Sequence, residues 1–272
     1  MKTILVPIDP GSAATSAIAV ACQLARRCDA RIDGIALRPP YADVIAPDPI
    51  VAVTLPHADW DEPAYQRKTR AVFDAGIAAG AASAGTAPRA QWRSGRAVDD
   101  EGLGALCRVY DISVIARPGR GASRMSALES ALFEGGRPVL MAPPKPLATF
   151  GDTVLIHWNC SEETARAIAL SLPLLNKAKR VHLLTVTGST TAGPPARDSL
   201  GYFEAHGIAA TESTVDPKGL GPGEAILAEA KAMGADLLIK GAYTQSRLRQ
   251  MIFGGATSSV LAKAELPVLL AH

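Results

Sequence analysis

Cysteine is scarce, with 4 in 272 residues, and Cys22, Cys28, Cys107 and Cys160 show no C-x-x-C spacing. No metal or redox motif is therefore encoded by them. Three of the four fall in apolar helical patterns, where a small buried thiol suits a reducing compartment. An excess of one charge is also missing: 28 basic residues face 26 acidic ones, for a net charge of +2. That balance excludes a nucleic-acid surface built on bulk charge. Nowhere does an uncharged apolar run reach the roughly 18 residues that a membrane span needs. The opening run, MKTILVPIDPGS, is too short in apolar residues for a signal peptide and goes straight into a strand. The expectation is a cytoplasmic protein with neither a membrane nor a nucleic-acid partner. A nucleophile elbow of the form G-x-S-x-G is absent, and no carboxylate pair is set by local spacing, so no catalytic residue is assigned.

What is present is a fold written twice. The stretch from Asp111 to Pro143 is echoed from Asp236 to His272, each copy with an acidic residue, an apolar run, an arginine-bearing loop, an amphipathic stretch and a closing Pro-Val-Leu strand. The 48% hydrophobic content provides a core for each copy. In the first half the pattern predicts strands at 3–8, 31–37, 87–93, 112–116 and 138–142, with helices at 13–28, 61–83, 97–109 and 122–134. The second half repeats it, with strands at 153–158, 179–186, 208–215, 236–240 and 267–271 and helices at 161–172, 195–206, 223–233 and 256–264. Continuously apolar, β-branched strands alternating with helices call for an α/β fold, two tandem, doubly wound, parallel five-stranded sheets. The proline-rich linker from Pro143 to Gly151 divides units 1–147 and 148–272. The segment 38–60, with five prolines, is a long loop without a counterpart of equal length.

The chemistry is concentrated in the loop after the fourth strand of the second half, from Gly241 through Thr244 to Gly254, Gly255, Ala256 and Thr257. Glycine at the end of a buried strand lets a ligand approach the backbone, and a Gly-Gly pair opening a helix presents free N–H groups at the positive end of the helix dipole. Both point to an anion. In an open parallel sheet the ligand crevice lies beyond the carboxyl ends of the strands, where this loop meets Trp158, Asn159, Cys160 and Ser161. Phosphates would sit on the former and adenine or ribose near the latter.

These features resemble a tandem universal stress protein, over nearly the whole length. The resemblance implies an adenine nucleotide alpha hydrolase-like fold and ATP as cofactor. ATP-binding members carry a glycine, two residues, a second glycine, nine residues, a third glycine and then Ser or Thr, together with an Asp after the first strand. Here Gly241 and Gly254 match, Thr244 replaces the second glycine, Gly255 replaces the hydroxyl residue, and Asn159 stands in place of the Asp. By the resemblance, Asn159, Val186, Gly241, Thr244, Gly254, Gly255, Ala256 and Thr257 are the nucleotide-binding candidates. The first half keeps Asp9, but its shorter loop carries Arg117, Arg120 and Arg124 instead of spaced glycines, as an alternative anion clamp or simply a solvated loop. The implied function is a stress-response regulator that binds an adenine nucleotide in its C-terminal half, alongside unidentified protein partners. A nucleotide-independent scaffold and a weak ATPase are the alternatives. Family members pair their last strands across a two-fold axis. The strands holding Val139, Leu140, Val268 and Leu269 would then meet in an intrachain pseudo-dimer, and a homodimer of the whole chain remains open.

Other constellations have plainer readings. Gly219, Gly221 and Gly223 lack dinucleotide spacing and read as a turn into a helix. His57, Asp59, Asp61 and Glu62 have no tight ligand spacing, and Asp61 reads as a helix cap, as does Ser12. His157 and His182 fall on strands and are expected to be core neighbours.

Overall fold

The computed structural model describes residues 1–11, 13–39, 61–118, 125–242 and 255–272. The strands are β1 (Thr3–Ile8), β2 (Arg31–Ala36), β3 (Arg89–Trp92), β4 (Ile112–Ala116), β5 (Val139–Ala142), β6 (Thr153–His157), β7 (Arg180–Val186), β8 (Ala210–Val215), β9 (Leu237–Gly241) and β10 (Val268–Ala271). The helices are α1 (Ala13–Cys28), α2 (Glu62–Ala84), α3 (Asp100–Cys107), α4 (Met125–Glu134), α5 (Glu162–Leu175), α6 (Leu200–Ala205), α7 (Pro222–Ala232) and α8 (Ala256–Lys263). A 3₁₀ turn at Ala196–Ser199 leads into α6, so the single helix expected over 195–206 is broken after its first turn. Local chemistry explains several boundaries. Asp61 Oδ1 accepts the Ala64 N–H at 2.9 Å and starts α2, which Gly85 closes at φ 70°. Gly221 begins α7 with its N–H donating to Glu224 Oε2 at 3.1 Å, confirming a turn and helix start. The Ser12 cap, most of the 38–60 loop, His57 and Asp59 lie outside the described residues.

All strands of the described residues join one sheet of 10, in the order β3-β2-β1-β4-β5-β10-β9-β6-β7-β8. Pairing is parallel within each half and antiparallel only where β5 meets β10, with Leu140 opposite Leu269, Met141 opposite Val268 and Val139 opposite Leu270. Each of these side chains is fully buried. Helices cover both faces. On one, α1, α2, α5 and α6 pack a cluster that includes Leu140, Ile156 and Leu269; on the other, α3, α4, α7 and α8 pack Val139, Leu155 and Val268. Because both clusters cross the β5–β10 seam, the two halves share their cores. The connection from Pro143 to Asp152 is tied down as well. Ser16 Oγ donates to Pro143 O at 2.6 Å, Gln23 Nε2 to Leu147 O at 2.7 Å, and Arg27 to Gly151 O at 2.6 Å and to the Asp152 carboxylate at 3.0 Å.

Candidate functional site

The carboxyl ends of β6 and β9 lie side by side, with His157 paired in register to Lys240. Beyond β6 the chain turns sharply through Trp158, Asn159 and Cys160, the last at φ 65°, and Ser161 caps α5 by accepting the Thr164 N–H at 3.2 Å. Asn159 is buried. Its Oδ1 accepts from Thr164 Oγ1 at 2.6 Å and from Ser161 N at 3.3 Å. Thr164 Oγ1 in turn accepts the Gly241 N–H at 3.2 Å, which latches the first turn of α5 onto the end of β9. In the first half, Asp9 Oδ1 accepts Gly11 N at 3.1 Å in the same two-residue turn.

Gly241 is required here for a different reason from the one expected. A Cβ on it would stand 2.6 Å from Thr164 N and 2.8 Å from Glu163 Cβ, so the space is taken by α5 and not left for a ligand. This is the close helix–strand contact that only glycine permits. Val186 is fully buried in the core, and its carbonyl already accepts from Ser189 N at 3.1 Å and Ser189 Oγ at 2.9 Å. Gly255 is the N-cap of α8 and makes no side-chain cap bond; Ala256 and Thr257 form the first turn. Thr244 and Gly254 lie outside the described residues, as do Arg120 and Arg124. Arg117 Nη1 crosses the seam to donate to Ala264 O at 2.8 Å. His182 is only half-buried, contrary to the core position expected, and bonds Thr211 and Ser213 on the outer strand β8 at 2.7 and 2.8 Å. Among the described residues no group of three or more His, Cys, Asp or Glu is placed to hold a metal.

The residue that sequence reasoning missed is Lys240. Its position in an apolar strand, one residue before Gly241, was the available signal. It is 3% exposed, and its Nζ donates to Gly241 O at 2.5 Å and Thr257 Oγ1 at 2.8 Å. Desolvation by burial pushes its pKa down to about 7, against a smaller upward pull from Glu163. His157 is held down at about 3, by burial first and by Lys240 second. His157 Nε2 lies 3.4 Å from Ser189 Oγ, which also bonds Val186 O at 2.9 Å. Glu163 is buried too, and its Oε2 has no hydrogen-bond partner.

Both depressed bases act on stability with the same sign. The unfolded chain protonates Lys240 below its ordinary 10.5, but the fold does so only below about 7, so stability rises with pH between those values. For His157 the rise runs from about 3 to 6.5. Lys240→Met is expected to raise the denaturation midpoint at pH 7 and to flatten the rise between pH 7 and 10. Urea titrations at three pH values read both, and an unchanged alkaline slope would contradict the burial cost assigned to this lysine.

Residues 203–272, which include β9, Gly241 and α8, match the universal stress protein family model. A stretch of 49 residues is 37% identical to the stress response protein NhaX of Bacillus subtilis, covering 18% of this chain and 30% of that protein's length. Among solved structures, a universal stress protein from Archaeoglobus fulgidus superposes with a TM-score of 0.71 at 17% identity, covering 99% of this chain and 95% of its own. A putative universal stress protein from Pseudomonas aeruginosa gives 0.54 at 13% identity, over 100% and 93% of the two chains. At these identities the structural likeness is one of fold. No helix among the described residues is long and apolar enough to cross a membrane.

Proposed function

We propose, on the premise that residues 203–272 are a universal stress protein family segment, that the chain is a stress-response regulator that binds an adenine nucleotide, ATP foremost, at the crest of β6 and β9. The observation that carries this reading is the convergence, at the carboxyl ends of neighbouring parallel strands, of Asn159, Gly241 and the first turn of α8. Gly255 offers no side-chain oxygen to the N–H groups behind it, which leaves them for an anion. The Asn159 carboxamide stands at the nucleoside end, where the family's ATP-binding members carry an acid. Phosphates would rest on Gly255, Ala256 and Thr257, with Thr244 and Gly254 completing the loop. In the first half the match to the nucleotide-binding motif is limited to Asp9, and Arg117 is engaged across the seam, so binding is assigned to the second half.

The test is direct. Protein purified without added ligand is denatured and its extract analysed for adenine nucleotide, and the emptied protein is titrated with ATP in a calorimeter. One equivalent per chain, lost in Gly255→Val, is the expected result. A clean extract together with no heat of binding would favour a nucleotide-independent scaffold, and release of ADP during the titration would favour an ATPase.

A further inference from the structure

The chain carries its own control for Lys240. The two halves correspond through their registers, Ile4 with Ile112 in one and Val154 with Leu237 in the other. Those registers set Lys240 against Ile115 and His157 against Pro7; continuing along the matching helices sets Glu163 against Ala13 and Thr257 against Leu128. The first half completes the same β-strand and helix arrangement with an apolar residue at each of these positions. The fold therefore does not need a buried lysine, imidazole, carboxylate and hydroxyl here, and burying them works against stability. Such a cluster, built in one copy only, points to a ligand.

The arrangement identifies the ligand's charge. Lys240 Nζ reaches Thr257 Oγ1 in the first turn of α8, under the N–H groups that Gly255 leaves uncapped. Its two acceptors, Thr257 Oγ1 and Gly241 O, are both neutral, and Lys240 is in none of the ion pairs of the described residues. Among the described residues, the groups that face it are His157 from β6, Glu163 from α5 and the Thr257 hydroxyl from α8, while β10 presents apolar Leu270 in register. Glu224, on the neighbouring α7, is engaged with Lys263 at 2.6 Å. Among the described residues, the carboxylate facing the lysine, Glu163, keeps a buried oxygen without a donor instead of closing onto the amine.

We infer that Lys240 reads the phosphoryl charge of the ligand: it is an anion-binding residue that holds a proton when a di- or triphosphate occupies the first turn of α8 and releases it when the site is empty. The inference rests on the adenine-nucleotide reading for the ligand's identity, though not for its charge. An arriving phosphate supplies the counter-charge that the protein withholds, so binding stabilises the ammonium form. Since the empty site's lysine lies near pH 7, binding at pH 8 draws a proton from the buffer, and affinity falls as pH rises further.

The experiment is calorimetry of the whole chain at pH 8 with ATP, adenosine and pyrophosphate, each in HEPES and in Tris, which differ in ionisation enthalpy. The expected result is a buffer-dependent enthalpy for ATP and pyrophosphate corresponding to uptake of nearly one proton, and none for adenosine. Lys240→Met is expected to abolish the uptake and to weaken ATP about ten-fold or more, leaving adenosine unchanged. Because this variant is expected to be more stable at pH 7, weaker binding cannot be ascribed to unfolding. ATP binding without proton uptake, and equally tight in Lys240→Met, would overturn the inference and leave the nucleotide reading intact. Pyrophosphate binding with uptake, but no binding of any adenine compound, would uphold the charge reader and sink the nucleotide. Binding of neither would overturn both.

Discussion

Lysine at both Leu140 and Leu269 is expected to leave the chain unable to assemble its sheet. The two leucines face each other across the antiparallel β5–β10 pair, each 0% exposed and each part of the core cluster that spans both halves. A lysine there has no carboxylate to meet and no route to water, and a buried unpaired charge belongs to the mechanisms that cost more than about 4 kcal/mol. That is a large part of the whole stability of a domain, about 5–15 kcal/mol. Loss of the soluble folded form, or halves joined only by the connection at residues 143–152, should be seen by size-exclusion chromatography and circular dichroism. Milder truncation gives a graded version. Leu140→Ala and Leu269→Ala should each lower stability by about 2–5 kcal/mol, and the double variant should depart from their sum because the side chains touch. A soluble L140K/L269K protein with an unchanged unfolding midpoint would show that the seam does not hold the molecule together.

Gly241→Val is expected to damage fold and site together. Its Cβ alone would lie 2.6 Å from the backbone nitrogen of Thr164 and 2.8 Å from Thr164 Oγ1, where the first turn of α5 presses on β9. Backbone cannot rotate aside as a long side chain does, so α5 must move. Displacement breaks the Gly241 N–H bond to Thr164 Oγ1 and, through that hydroxyl, its bond to Asn159 Oδ1. Overpacking of this kind costs about 1–3 kcal/mol, and branching at Cβ puts valine at the upper end. On the proposed nucleotide reading, ATP affinity should fall about ten-fold or more, since the displaced turn carries Asn159 out of position. Gly241→Ala should lie between wild type and valine in both readouts. Thermal unfolding and calorimetry check the pair, and a Gly241→Val protein as stable as wild type would contradict the contact.

Much of the fold was legible in the sequence because strand and helix periods are local. Ile4, Leu5 and Val6 form part of a continuously apolar run, and a strand buried on both faces follows from it. Ile18, Ala21, Cys22 and Ala25 share a helical face, and all are buried. The Pro-Val-Leu endings marked β5 and β10 as short apolar strands, the resemblance to the family implied that they pair, and the structure pairs them. His182 was misjudged for a reason of the same locality: a strand alternates its faces, but it does not reveal that β7 lies next to an outer strand, where Thr211 and Ser213 rather than a helix meet the imidazole.

At the site, the sequence by itself determined the glycines, the Asn159 turn and the opening of α8, since each is a short-range backbone requirement. Only the tertiary structure decided what they are for. Gly241 looked like room for a ligand until α5, far away in the chain, was seen to fill that room. Lys240 drew no reading from the sequence, where it is one charge ending an apolar strand, and becomes a buried amine of depressed pKa only because β6, α5 and α8 converge on it. Burial and desolvation are sums over neighbours brought together by folding. A sequence names the groups, while their pKa values, partners and missing partners are settled by what packs around them.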